Sequence, residues 1–307
     1  MKRALILAIF VSLFAVSAFA QTAPKAPERK YWCNDMGNKL HPLYGNVASV
    51  AIYYYNVSGT ANNVLKESFA GKESYKFNVQ GHVIEFISDE IKRICKYDSS
   101  GNILEHILYG DPYEAGKTTY TYNAQKQLIS SIFYFLTGEL FTKDIYKYHN
   151  NGALVEKLQY SSNNEFIGKH IYKYNSQGKL VEETCYDENG VLERKTTNEY
   201  TPTGYLLRQT EAIYNKNGTL SEKDFSKYDS HGNIIELGDI KRPFKNNITY
   251  DAKGNIIGEV CIDSNGQTVE KRSYRHTYDA KGNIIKTIIF NDQMKPLELI
   301  EYRIVYR

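Results

Sequence analysis

In twelve turn-forming units along this chain an aromatic or apolar residue is followed four positions later by glycine. The anchors are Phe77, Tyr97, Tyr134, Tyr148, Tyr174, Tyr186, Tyr200, Tyr214, Tyr228, Tyr250, Ile262 and Tyr278. Ten of the twelve are Tyr, nine precede Asn or Asp, and eleven have Val, Ile or Leu at the sixth position. Chance does not produce that register from 27 tyrosines in 307 residues. The chain is an internal repeat, and repeats fix architecture before any other signal. The same regularity says little about a ligand.

The unit from Tyr174 reads Tyr-Asn-Ser-Gln-Gly-Lys-Leu-Val. An Asn or Asp side-chain oxygen bonds the backbone two residues on and starts a type I turn. Glycine three positions later supplies the left-handed conformation of a G1 bulge, and together they make a tight hairpin loop. The glycines read this way are Gly101, Gly138, Gly152, Gly178, Gly190, Gly204, Gly218, Gly232, Gly254, Gly266 and Gly282. Asn164 fills the slot after Tyr160 and tolerates positive φ next best. Lys126 and Met294 suit it less, which predicts different or looser turns there.

From Tyr134 to Tyr228 the anchors step by 12 or 14 residues, leaving strands of roughly eight to ten residues. Strands joined by such turns are antiparallel neighbours, so the chain is an all-β meander. The longer step from Tyr228 to Tyr250 hides one degenerate strand near Gly238–Pro243, expected as an irregular edge or bulge. In 166–174 alternation puts Phe166, His170, Tyr172 and Tyr174 on one face and Ile167, Lys169, Ile171 and Lys173 on the other. Tyr-x-Tyr pairs recur at Tyr120/Tyr122, Tyr146/Tyr148 and Tyr172/Tyr174, which predicts tyrosine ladders on one face. Sixteen to twenty strands at about 4.8 Å spacing are too wide to stay flat. The expectation is a spiral or curved single-layer sheet of solenoid type, with a partly closed barrel as the other way to coil. The last strand, 299–307, is expected to end one edge, with Arg303 and Arg307 guarding it.

Residues 1–20 carry a signal-peptide pattern: Lys2 and Arg3, an apolar run from Ala4 to Val16, and Ser17-Ala18-Phe19-Ala20. Residues 21–30 read as an extended leader, 31–90 as a degenerate N-terminal capping β region, and 91–307 as the hairpin array. Export to the periplasm, cell surface or medium follows, with no later membrane-spanning run. Removal of Lys2 and Arg3 lowers the formal charge from +3 to +1, since 36 bases then face 35 acids. Those charges are interspersed, which argues against nucleic acid as a partner. Cys33, Cys95, Cys185 and Cys261 lie in different repeats, so free thiols are expected in place of disulfides.

Tyr97-Asp-Ser-Ser-Gly-Asn-Ile, Tyr228-Asp-Ser-His-Gly-Asn-Ile, Tyr250-Asp-Ala-Lys-Gly-Asn-Ile and Tyr278-Asp-Ala-Lys-Gly-Asn-Ile resemble the YD repeat of RHS-type proteins. The resemblance covers about residues 77–290. It implies β-hairpins coiled into a spiral sheet, in exported or surface-displayed proteins that include toxin shells. The units from Tyr186 and Tyr214 also look like the MORN-like hairpin repeats of small antitoxin-type proteins.

No catalytic, cofactor or metal site is nominated. Gly110–Thr118 has five residues between its glycines where a phosphate loop has four, and reads as a long hairpin loop. His149 and His231 fall in turns, while His170 and His276 lie on the tyrosine face. No HExxH, CxxC or GxSxG occurs. Binding candidates are Tyr120, Tyr122, Tyr146, Tyr148, Tyr172 and Tyr174, since tyrosine offers both a ring and a wet hydroxyl. The reading is an exported, non-enzymatic scaffold or binding module for a glycan, peptide or envelope partner. A toxin or immunity component and a carbohydrate-active enzyme are the alternatives.

Overall fold

The computed structural model describes residues 43–61, 64–110, 115–239 and 244–307. The signal, leader and Cys33 readings fall outside them, as do the tip of the Gly110–Thr118 loop and residues 240–243. Among the described residues twenty strands follow one another. They are β1 (Val47–Ala61), β2 (Val64–Phe77), β3 (Val83–Ile87), β4 (Lys92–Tyr97), β5 (Ile103–Tyr109), β6 (Gly116–Tyr122) and β7 (Leu128–Phe135). Next come β8 (Leu140–Tyr148), β9 (Leu154–Ser161), β10 (Phe166–Tyr174), β11 (Leu180–Asp187), β12 (Leu192–Tyr200), β13 (Leu206–Tyr214) and β14 (Leu220–Tyr228). The series ends with β15 (Ile234–Asp239), β16 (Lys245–Tyr250), β17 (Ile256–Ile262), β18 (Thr268–Tyr278), β19 (Ile284–Phe290) and β20 (Pro296–Tyr306). Each pairs antiparallel with its successor.

The sheet then closes, and this corrects the expected open spiral or curved solenoid-like sheet. β20 pairs antiparallel with β1 from Val47↔Tyr306 to Asn56↔Glu298, so the meander is a 20-stranded barrel. Arg307, expected to guard an edge, is part of the seam: its amide donates to the Asn46 carbonyl at 2.8 Å and its guanidinium to the Val47 and Phe77 carbonyls. Arg303 lies over the Tyr53 ring at 4.3 Å. Closure satisfies both rows of edge backbone groups, which an open sheet would leave to other chains. The seam also holds the main apolar cluster, with Val47, Val50, Ile52, Tyr75, Phe77 and Phe86 all buried. Side chains of this kind stabilise by about 1.5–3 kcal/mol each when fully buried.

The turns repeat one geometry. Asn175 N donates to the Lys179 carbonyl at 2.9 Å and Gly178 N to the Asn175 carbonyl at 3.0 Å. The Asn175 side-chain oxygen accepts from the amides of Gln177 and Lys179. Gly178 sits at φ +73°, and the register slips between Lys173 and Tyr174. Lys126 and Met294, expected in looser turns, take φ +61° and +58° and keep the same bonds. Their Asx partners Asn123 and Asn291 hold the loop closed while the side chain bears the left-handed conformation, at about 1–2 kcal/mol. The degenerate strand expected near Gly238–Pro243 as an irregular edge or bulge is β15, which ends at Asp239 and is no edge, being paired with both β14 and β16.

The slip has a consequence for direction. Each bulge shifts the alternation, so anchors point inward and outward by turns. Tyr122, Tyr148, Tyr174 and Tyr200, spaced by 26 residues, face one side of the wall and Tyr134, Tyr160 and Tyr186 face the other. The folding unit is therefore a whole hairpin.

Candidate functional site: the inner wall

The two faces differ in crowding. On one, the lysines that precede the anchors are open, as for Lys147 at 53% side-chain exposure and Lys173 at 64%. They pair at 2.7 Å with Glu156 and Glu182 on the next strand. This is the convex outside, where such pairs are worth little. On the other face Tyr120, Tyr146 and Tyr172 are half-buried, and charged side chains between them keep only partial access to solvent. That face lines the barrel. Twenty strands make a ring about 30–40 Å across, too wide for inward side chains to fill.

All six candidate tyrosines lie on this inner wall, in two rows with different roles. Tyr122, Tyr148 and Tyr174 stand at one rim, and their hydroxyls donate to the carbonyls of Ile103, Leu128 and Leu154 at 2.9, 2.8 and 2.9 Å. Tyr97, Tyr200 and Tyr250 do the same to Val83, Leu180 and Ile234. Each acceptor belongs to the aliphatic residue that opens the strand after the preceding turn on that rim. These hydroxyls staple neighbouring hairpins and are not free to meet a ligand. Burial raises the pKa of all three candidates in this row, with Asp98 adding to the effect at Tyr122.

Tyr120, Tyr146 and Tyr172 form the second row, deeper in the wall on β6, β8 and β10. Burial pushes the Tyr146 phenol up to about 12, although its bond with Ser131 at 3.2 Å works the other way. Tyr120 and Tyr172 are raised further, again by burial, helped by Tyr146 for the first and Glu183 for the second.

Beside this row runs a polar belt. Lys157 pairs with Asp144 at 3.7 Å, and the Gln159 amide donates to Asp144 at 3.3 Å. Gln159 Oε1 meets His170 Nε2 at 3.2 Å, while His170 Nδ1 lies 2.8 Å from Glu183 Oε1 and 3.0 Å from Cys185 Sγ. Arg194 donates to Cys185 Sγ at 3.4 Å and pairs with Glu211 at 3.6 Å. Burial alone would raise the Glu183 carboxyl, but the bond and charge of His170, with Arg194 and Lys157, hold it below its ordinary value. Burial raises the Cys185 thiol despite the opposing pull of Arg194. Among the described residues, Cys95, Cys185 and Cys261 are not joined in disulfides.

Sequence reasoning placed His170 on the tyrosine face and Cys185 in another repeat without bringing them together. Reflection across the Tyr174–Leu180 turn does so: His170 pairs with Cys185, and Tyr172 with Glu183. The one-residue bulge hides that register from a simple count.

No protein-family model matches the chain, and no curated protein matches it. Among solved structures, a porin-like protein from Bacteroides uniformis is 12% identical at TM-score 0.37, over 86% of this chain and 99% of its own. A porin-like protein from Bacteroides vulgatus is 11% identical at TM-score 0.32, over 83% of this chain and 97% of its own. The Photorhabdus luminescens Tc holotoxin pore is 14% identical at TM-score 0.32, over 79% of this chain but 14% of its own. Identities and scores this low carry no function across.

Proposed function

We propose that the protein is an exported, non-enzymatic β-barrel that binds an extended carbohydrate along its inner wall. The observation that carries this reading is the row Tyr120, Tyr146 and Tyr172, set on alternate strands beside Ser131, Asp144, Gln159 and Glu183. Aromatic rings next to carboxylates and amides suit sugar faces and sugar hydroxyls, and the wide lumen admits a chain. Export rests on the pattern of residues 1–20. The barrel stands in water under this reading, because Lys169 and Lys173 interrupt the outer face of β10 and Lys143 and Lys147 that of β8. A lipid-facing barrel needs an apolar band about 25 Å tall.

The test is a glycan array with the mature chain, followed by calorimetry on Tyr146→Ala and Tyr172→Ala. Affinity for the captured glycan is expected to fall at least about 10-fold, in line with the loss of one stacked ring. Tyr186→Ala on the outer face should leave it unchanged. Capture that survives both inner substitutions, or turnover of the bound glycan, overturns the reading.

A further inference from the structure

The polar belt holds one convergence that a carbohydrate wall does not need. His170 Nδ1, Glu183 Oε1 and Cys185 Sγ all lie within 4.8 Å of one another, on two adjacent strands. Their separations are 2.8 Å for N to O, 3.0 Å for N to S and 3.8 Å for S to O. The His170 and Glu183 side chains keep 12% and 23% exposure, and Cys185 keeps 7% as a residue.

A nucleophilic relay does not fit. Such a relay uses both imidazole nitrogens, one toward the thiol and one toward the acid. Here thiol and carboxylate meet the same nitrogen, and the other faces an amide oxygen. Three donor atoms of mixed N, O and S character this close together have the composition of a metal ligand set. In a tetrahedral zinc site with bonds of about 2.0–2.3 Å, ligand atoms stand about 3.3–3.7 Å apart. The trio reaches that spacing by opening about half an ångström at His170.

The surroundings agree. The Gln159 Nε2 bond to Asp144 turns its Oε1 toward His170 Nε2, which holds that nitrogen as the protonated one and leaves Nδ1 for coordination. A second partner on the distal nitrogen is the usual support of a metal-bound histidine. Charge also balances. Among the facing groups, Lys157 pairs with Asp144 and Arg194 with Glu211, and Arg194 also reaches Cys185 Sγ at 3.4 Å and Glu183 at 3.9 Å. Glu183 and a Cys185 thiolate are left to neutralise a divalent ion.

We propose that His170, Glu183 and Cys185 bind one thiophilic divalent cation, Zn2+ foremost, with a fourth position open to the lumen. Binding replaces the proton on Cys185 Sγ by the metal and releases it to solvent, while His170 coordinates through the Nδ1 lone pair. The site goes beyond the carbohydrate reading and stands whether or not any glycan binds.

The experiment uses the reduced, metal-stripped full chain titrated with Co2+ and then Zn2+. One equivalent of Co2+ should give a thiolate-to-metal charge-transfer band with tetrahedral d–d bands, and Zn2+ should abolish both. Cys185→Ser should remove the charge-transfer band, whereas Cys95→Ser and Cys261→Ser should keep it. Gln159→Leu should keep the band and weaken Zn2+ about 10–100-fold, the usual cost of losing an outer partner. His170→Asn and Glu183→Gln should weaken it more. Circular dichroism without metal reports whether each variant folds, and His170→Asn serves as the ligand test if Cys185→Ser does not. Octahedral Co2+ spectra in the unaltered chain, no saturation at one equivalent, or a charge-transfer band that survives Cys185→Ser overturns the proposal.

Discussion

The two rims of the barrel use the same turn and do different things with it. At the rim of Tyr148, Tyr174 and Tyr200, the anchors point inward and their hydroxyls lock onto the hairpin behind them. At the other rim Tyr134 and Tyr186 point outward, with Lys117 and Lys169 over their rings, each at 5.7 Å. Local sequence dictates the reversal of the chain, and the bulge parity dictates which side the tyrosine reaches. One motif thus yields a stapled mouth and an unstapled one.

The strongest way to break this contrast is to remove several staples together. Tyr148→Phe, Tyr174→Phe and Tyr200→Phe combined should lower unfolding stability by about 3 kcal/mol, at about 1 kcal/mol per lost hydroxyl bond. Tyr160→Phe, Tyr186→Phe and Tyr214→Phe combined should cost less than about 1 kcal/mol, since these hydroxyls form no staple. Urea midpoints at constant slope give both numbers. Equal losses at the two rims would dissolve the distinction.

Extremes of pH sharpen it from the charge side. At the stapled rim Asp279 would be raised by burial, but the Tyr306 hydroxyl and the Asn283 and Lys281 amides hold it below its ordinary value. Asp251 is depressed likewise, burial being outweighed by Asn255, Lys253 and Tyr278. A depressed carboxyl adds stability above its unfolded pKa near 3.8, and that stability is lost as pH falls through the lower folded value. Burial lifts Tyr250 and Tyr306 to about 12, aided by Asp229 and Asp279 respectively. Their contribution is full below pH 10 and disappears as pH climbs through 12. Hydrogen exchange of the Asn255 and Asn283 amides should quicken below pH 4, and tyrosinate absorbance should rise cooperatively with unfolding above pH 11. Amides that keep their protection in acid, or tyrosines that titrate freely near 10, would show that these rim bonds do not carry stability.

The smallest effect addresses what the rims share. Lys126→Gly at the stapled rim and Met294→Gly at the other should each stabilise by about 1 kcal/mol, because both side chains occupy left-handed backbone. A thermal-melt gain at one rim alone would show that the turns are not equivalent after all.

Much of this was readable in advance, because turns and alternation are local. Asn175 and Gly178 announce their hairpin, and Tyr172 and Tyr174 announce a shared face. Closure was not readable. It depends on the accumulated coil of the whole meander and on a pairing between Val47 and Tyr306 that no neighbouring residues encode. The inner-wall trio lay between these cases, within reach of anyone who counts the bulge at Tyr174.

Pairing β20 with β1 in antiparallel sense also sets an arithmetic rule for the lineage of such chains. A meander can shut on itself this way only with an even tally of strands. Growth or loss must therefore proceed by complete 26-residue hairpins or their near equivalents, since a lone strand gained or lost would leave the two ends running the same way. Circumference is quantised, and so is the bore.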